Sequence, residues 1–140
     1  MQSLKQALTE AGIEIYGESD TDLRIAERHR YHLMDSGVVA RSEGDAIVVS
    51  FSIRAQRSEF PHVEESLIFE RIRSVVGTTA IERGYSDGVE RVVEVNDPVD
   101  ATKLLDTWYE LEFAKTVDGA SPAIEEIRWA LTVEKYVLPG

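Results

Sequence analysis

Residues 45–54, with the sequence DAIVVSFSIR, decide the fold of this chain. Ile47, Val49, Phe51 and Ile53 alternate within this stretch with mostly polar or smaller residues. A period of two places every second side chain on the same face of a β-strand. The pattern therefore predicts a strand with one buried face, and a second layer of structure that covers that face.

The segments on either side of this strand predict its neighbours. Residues 37–42, followed by a turn at 43–45, predict the first arm of a β-hairpin. Between residues 61 and 83 the apolar positions recur at helical spacing, with Pro61 in the first turn and Gly84 at the end. We therefore expect a long helix that packs on one face of the sheet.

The rest of the chain predicts further strands and two short helices. One short helix covers residues 3–12 with Ser3 as its cap, and the other covers 98–106 with Asp97 as its cap. Two segments fit both a strand and a helix, and we interpret both as strands because they contain many residues that favour sheets. These two segments are residues 22–34 and 124–138. Further strands are expected near residues 13–16, 89–95 and 109–117.

Together these elements predict an α+β fold. The sheet is expected to be largely antiparallel, with about five to seven strands, one long helix on a face, and short helices at the N-terminus and near 98–106. The length of 140 residues predicts a single domain over 1–140. The order of elements resembles, in outline, small α+β modules such as secretion-chaperone-like or adaptor domains. This resemblance assigns no site residue.

The composition excludes several classes of function. With 15 basic and 26 acidic residues the formal charge is −11, which argues against nucleic-acid binding and against docking on anionic membranes. The chain has no cysteine, so disulfides, thiolate zinc sites and cysteine nucleophiles are excluded. Neither an export signal nor a long apolar segment is found, which predicts a cytoplasmic protein without membrane contact.

The negative charge is concentrated in residues 82–112, which contain nine acidic and three basic residues. Such a stretch predicts a surface for a basic protein partner, although a solvated face that only maintains solubility explains the same charge. The candidate partner-binding residues are Glu90, Glu94, Asp106, Glu110 and Glu112.

A second cluster of interest contains arginine and histidine residues between positions 24 and 32. Bidentate arginine contacts there could hold a carboxylate or a phosphate of a small ligand. Pairing of these arginines with the acidic stretch at 82–112, within the fold or across a dimer, explains the same residues and is the simpler interpretation. The candidate residues of this alternative site are Arg28, His29, Arg30, His32, Trp108 and Trp129. A helix over this segment would place His29 and His32 on one face, as metal ligands at i and i+3 can be, whereas a strand would point them to opposite faces, where they could not chelate one ion. A third ligand would have to come from elsewhere in the chain, and Arg28 and Arg30 oppose a cation nearby, so we expect no metal. No cofactor is expected either.

No catalytic motif is present, since the chain lacks a P-loop, a Gly-x-Ser-x-Gly and a Gly-x-Gly-x-x-Gly sequence. We therefore predict a non-enzymatic protein-binding module, such as a regulator, a chaperone-like adaptor or an inhibitor, that acts through its sheet and acidic surface. The alternative is a small-molecule-binding protein or an enzyme with an aromatic cavity between sheet and helix. A homodimer is a further expectation, because an open sheet leaves edges to cover.

Overall fold

Six strands and four helices occur along residues 3–139, the part of the chain that the computed structural model describes, except for the side chain of Asp87. The strands form one antiparallel sheet in the order β1-β2-β3-β4-β6-β5, which confirms the predicted α+β class. No helix among the described residues combines the length and apolar character needed to cross a membrane. In chain order the elements are α1 (Leu4–Glu10), β1 (Ile15–Glu18), β2 (Asp22–His29), β3 (His32–Glu43), β4 (Ala46–Gln56), a 3-10 turn (Arg57–Glu59), α2 (Glu65–Ile72), a π-helical segment (Arg73–Gly77), α3 (Thr78–Glu82), β5 (Ser86–Asn96), β6 (Leu104–Val117) and α4 (Ala120–Thr132).

The described residues group into two compact units. The first contains the described residues up to Phe51 together with Ala114–Val133, and the second contains Ser52–Phe113 together with the residues from Glu134 onward. The fully buried side chains of the first unit include Leu8, Ile25, Val38, Val49 and Ile127. Those of the second unit include Ile53, Ile68, Ile72, Leu111 and Phe113. The single domain expected from chain length stays a prediction.

The strand at 45–54 and its hairpin are confirmed. In β4 the side chains of Val49, Phe51 and Ile53 are buried, as the alternation predicts. The turn before β4 contains Gly44 at φ +64°, a backbone conformation that glycine adopts without steric penalty. This turn joins β3 to β4 in the predicted antiparallel hairpin.

The long helix is confirmed, but it begins later than predicted. It runs without a break through α2, the π-helical segment and α3, from Glu65 to Glu82. The guanidinium of Arg57 donates hydrogen bonds to the carbonyls of Phe60 and Val63. These bonds hold residues 60–63 in an irregular conformation, so Pro61 precedes the helix instead of lying in its first turn.

The segment at 124–138 was expected to be a strand, and this prediction is wrong. Residues 120–132 form α4, which buries Ala123, Ile127 and Ala130 at helical spacing. In the sequence, apolar residues also occupy every second position from Ile127 onward, which fits a strand equally well. Burial of the helical stripe decides between them, because tertiary packing overrides weak β propensity.

The short helix expected near 98–106 is also absent from the described structure. The Oδ1 atom of Asp97 accepts hydrogen bonds from the backbone N–H groups of Val99 and Asp100, at 2.8 and 3.2 Å. This is the capping geometry that the sequence predicts, but the chain then turns back. The N–H of Asp97 donates to the carbonyl of Lys103, which closes a loop between β5 and β6. Residues 104–106 therefore belong to a strand.

Residues 22–34 are strands, as expected, but they form two of them. β2 ends at His29, Arg30 and Tyr31 form the turn, and β3 begins at His32. Arg30 has φ +58°, a left-handed conformation that is uncommon for a residue with a Cβ atom. The sequence signal for this turn is weak because neither residue is a typical turn former.

Candidate functional site

The five acidic residues predicted to bind a partner all lie on β5 and β6, within the second unit. Four of them are engaged by neighbouring side chains of the same unit. Their partners are Arg73 for Glu90, Arg54 for Glu110, Arg91 for Glu112 and Ser58 for Asp106. Glu94 is exposed. The acidic stretch is therefore mostly a set of ion pairs and hydrogen bonds, not a row of solvated carboxylates.

Glu110 is the centre of an aromatic and arginine cluster on β4 and β6. Its Oε2 atom accepts hydrogen bonds from Nε and Nη2 of Arg54, at 3.0 and 2.8 Å. The guanidinium carbon of Arg54 lies 3.7 Å from the ring centroid of Trp108 and 5.7 Å from that of Tyr136. A planar guanidinium in this position makes cation–π contacts with both rings while its charge is balanced by the carboxylate.

Strand geometry brings these side chains to one face of the sheet. On β6, Tyr109, Leu111 and Phe113 are buried, whereas the alternate residues Trp108 and Glu110 are only half-buried. Successive strand residues point to opposite faces, so the half-buried set lies on the face away from the buried side chains. We refer to the side chains of Arg54, Trp108, Glu110 and Tyr136 as the Arg54 cluster.

Tyr136 reaches this cluster through the backbone of the C-terminal segment. This segment runs beside β4 in a parallel bridge that joins Arg54 to Tyr136. The N–H of Arg54 donates to the carbonyl of Lys135 at 2.8 Å, and the N–H of Val137 donates to the carbonyl of Arg54 at 2.9 Å. Val137 is buried and anchors the segment, which leaves the Tyr136 side chain 55 % exposed.

A second ion pair continues the same face toward the edge strand. Nη2 of Arg91 donates to Oε2 of Glu112 at 3.0 Å and to the hydroxyl of Ser52 at 3.2 Å. Glu110 and Glu112 are two residues apart on β6, and each faces its own arginine. The two carboxylates are thus held as charge-balanced pairs.

Asp106 anchors the beginning of β6. Its carboxylate accepts hydrogen bonds from the hydroxyl of Ser58 at 2.7 Å and from the backbone N–H groups of Ser58 and Thr107 at 3.1 and 2.8 Å. Partial desolvation acts to raise the pKa of Asp106, but the hydrogen bonds from Ser58 and Thr107 outweigh it and hold the pKa below its usual range.

This lowered pKa predicts a pH-dependent contribution to stability. Because the folded pKa lies below the unfolded one, the charged carboxylate stabilises the fold above about pH 4 and loses this effect as the pH falls through the lowered value. We expect Asp106→Asn to lower the free energy of unfolding by up to about 1 kcal/mol at pH 7, and the difference to shrink as the pH falls through the lowered pKa of Asp106. Urea denaturation across this range measures it. A difference that persists unchanged at low pH contradicts the assignment.

The predicted arginine and histidine strip lies in the first unit, on the hairpin of β2 and β3. Nε and Nη2 of Arg28 donate to the two carboxylate oxygens of Glu14, at 3.0 and 2.7 Å. The hydrogen bond from Arg28 lowers the pKa of Glu14. His29, Arg30 and His32 are exposed, and Tyr31 at the tip of the turn is 94 % exposed.

The statement that His29 and His32 point to opposite faces is corrected by the hairpin. The two histidines are not on one strand, and the turn between them makes them directly opposed partners of β2 and β3. Opposed residues of an antiparallel pair project to the same face. Among residues 3–139, no group of three or more His, Asp and Glu side chains is placed to hold one metal ion.

The residues of the alternative ligand site are divided between the two units. Trp108 belongs to the second unit, and Trp129 belongs to the first, where its ring makes an edge contact with Phe51 at 5.8 Å between centroids. A cavity of about 370 Å³ in the first unit is lined by Arg28 together with Arg128. Both guanidiniums already bind within the unit, since Nη2 of Arg128 donates to the carbonyl of Ala11. A small-molecule function stays a prediction.

The sequence predictions did not include Arg54 as a site residue, and they did not place Tyr136 beside it. Arg54 is the last residue of the alternating stretch 45–54 and falls on its polar face, a signal that marks it as outward-facing. Nothing in the sequence shows that Tyr136 lies beside Arg54, because the sequence pattern predicts that the segment around Tyr136 belongs to a strand at 124–138.

Comparisons with protein-family models, with curated proteins and with solved structures gave no match to this chain.

Proposed function

We propose that this chain is a non-enzymatic protein-binding module that docks a basic segment of a partner protein on the Arg54 cluster. The observation that carries the proposal is the stacking of Arg54 on Trp108, with Glu110 and Tyr136 beside it on one face of the second unit. Tryptophan, tyrosine and arginine are the residues that most often dominate the energy of protein interfaces.

The cluster is held in place before any partner binds. Two hydrogen bonds from Arg54 to one oxygen of Glu110 fix the guanidinium, and the ring of Trp108 lies against it. Preorganised side chains lose little conformational entropy on association, so more of the contact energy remains as affinity. Exposure of Tyr136 leaves apolar ring surface for a partner to cover.

The charge of the surrounding strands favours a basic partner. Residues 82–112 have a net charge of −6, from nine acidic and three basic side chains. Glu110 and Glu112 already form ion pairs with Arg54 and Arg91. We therefore infer that the acidic residues attract the partner at long range and lie at the rim of the interface. Rim charges mainly raise the association rate, and they make it sensitive to salt.

Selection of peptides on the full-length protein tests the proposal. A library of random displayed peptides is selected on the folded chain, and the binders are measured by calorimetry. We expect peptides rich in Lys and Arg that contain an apolar or aromatic residue. Trp108→Ala and Tyr136→Ala are each expected to weaken binding by about tenfold or more, and added salt is expected to weaken it further.

The control is an exposed tyrosine that also lies near an arginine. Tyr16 in the first unit has the guanidinium of Arg24 at 5.3 Å from its ring centroid and is 45 % exposed. Tyr16→Ala should leave affinity within about twofold, as expected for a surface change away from an interface. Peptides that bind Trp108→Ala as well as they bind the unmodified chain would refute the proposal.

The homodimer and the cytoplasmic location stay predictions. Light scattering on the same sample tests whether the chain forms a homodimer.

A further inference from the structure

The tip of the hairpin formed by β2 and β3 places two imidazoles in register. His29 and His32 are the last pair before the two-residue turn, and the next pairs are Arg28 with Leu33 and Glu27 with Met34. A short turn with consecutive pairs leaves no freedom for the register to slip by one residue. The two histidines therefore stay opposed for as long as the hairpin is formed.

The distance between opposed residues suits a shared metal ion. Directly opposed residues on antiparallel strands have Cβ atoms about 4.5–5.5 Å apart and project to the same face. Two imidazoles at that separation can direct one nitrogen each toward a common point, and metal–nitrogen bonds for zinc are about 2.0–2.1 Å long. Both histidines are exposed, so an ion and its water ligands can reach them.

The charges around the pair also permit a cation. Arg28 belongs to the neighbouring pair and thus to the opposite face, where its Nε and Nη2 atoms donate to the carboxylate of Glu14. Glu27 and Met34 form the second pair after the histidine pair. Because alternate pairs point to the same face of the hairpin, they share the face of the histidines. Glu27 adds a negative charge on that face, and Arg30 in the turn is the positive group to be tolerated.

We propose that His29 and His32 bind one divalent first-row transition-metal ion, with water completing its coordination. Imidazole is a favoured ligand of Zn²⁺, Ni²⁺ and Cu²⁺, whereas Mg²⁺ and Ca²⁺ require oxygen ligands. The site is independent of the Arg54 cluster, because it lies on the hairpin of the first unit. The ion would join β2 to β3 at the turn that contains the left-handed Arg30.

Titration of the full-length, tag-free protein with Zn²⁺ tests this site, followed by calorimetry and by NMR of the histidine side chains. We expect saturable binding of one ion per chain, with shifts of the His29 and His32 imidazole signals. His29→Ala and His32→Ala are each expected to weaken binding by about tenfold or more. His62→Ala, at the remaining histidine of the chain, is the matched control and should change affinity by less than about twofold.

Two further readings make the result decisive. Zn²⁺ should raise the thermal midpoint of the unmodified chain and of His62→Ala, but not that of His29→Ala, because only a bound ion stabilises the fold. The same NMR spectra show that the exposed-site variants remain folded. Mg²⁺ at equal concentration should leave the imidazole signals in place. Absence of saturation, or equal loss in all three histidine variants, would overturn the proposal.

Discussion

Lys115→Met is expected to lower the free energy of unfolding by about 3 kcal/mol, because it removes the positive partner of a buried carboxylate. Nζ of Lys115 lies 3.2 Å from Oε2 of Glu126, which links β6 to α4 in the first unit. The Glu126 side chain is only 8 % exposed, and that of Lys115 is 25 % exposed. Methionine retains the aliphatic stem, so the loss measures the charge and not the packing.

Two comparisons test this interpretation by urea denaturation at pH 7. Lys5→Met removes a shorter ion pair, 2.8 Å to Glu18, in which both side chains are about half exposed, and should lower the free energy by under about 1 kcal/mol. The double variant Lys115→Met/Glu126→Leu should recover most of the loss, because it removes the buried charge together with its partner. If the double variant is as unstable as Lys115→Met, the loss does not come from the broken ion pair with Glu126.

Arg57→Ala is expected to lower the free energy of unfolding by about 3 kcal/mol, because it breaks several charge-assisted hydrogen bonds at once. Nε and Nη2 of Arg57 donate to the hydroxyl of Tyr109 at 3.1 and 2.7 Å. Nη1 donates to the carbonyls of Phe60 and Val63. Tyr109 is 5 % exposed, so its hydroxyl loses partners that water cannot readily replace.

Three variants separate the effect of this network from that of losing any arginine. Arg41→Ala removes an exposed arginine that contacts Asp22 at 3.1 Å, and should lower the free energy by under about 1 kcal/mol. Arg57→Lys should lie between the unmodified chain and Arg57→Ala, because an ammonium cannot reproduce the planar fork. Tyr109→Phe should lower the free energy of unfolding by about 1 kcal/mol. Equal losses for Arg57→Ala and Arg41→Ala would contradict the role given to Arg57.

The strands of the chain were predictable from local pattern, and the helix α4 was not. Alternation in residues 45–54 has a single interpretation, because no helical face accounts for Val49, Phe51 and Ile53 together. Residues 124–138 fit both periods, and their aromatic and β-branched members favoured the wrong one. The burial of Ala123, Ile127 and Ala130 is a property of neighbours distant in sequence, which local propensity does not contain.

The same distinction applies to the candidate sites. The sequence indicated that residues 82–112 are acidic, but three of the five predicted binding carboxylates have partners outside this stretch, namely Arg54, Arg73 and Ser58. It also named His29 and His32, but it treated them as residues of one strand. The two-residue turn at Arg30 and Tyr31 reverses the conclusion about which face they share.

By itself, the sequence determined the α+β class, the buried strand at 45–54, the long amphipathic helix and the exclusion of cysteine chemistry. These properties depend on the spacing and type of side chains within one segment, where periodicity and composition act directly. Only the tertiary structure decided which charges are paired, that Tyr136 lies beside Arg54, and that two histidines oppose each other. Each of these depends on strand register and on where the chain reverses direction. Both bring together residues whose positions in the sequence do not indicate that they are in contact.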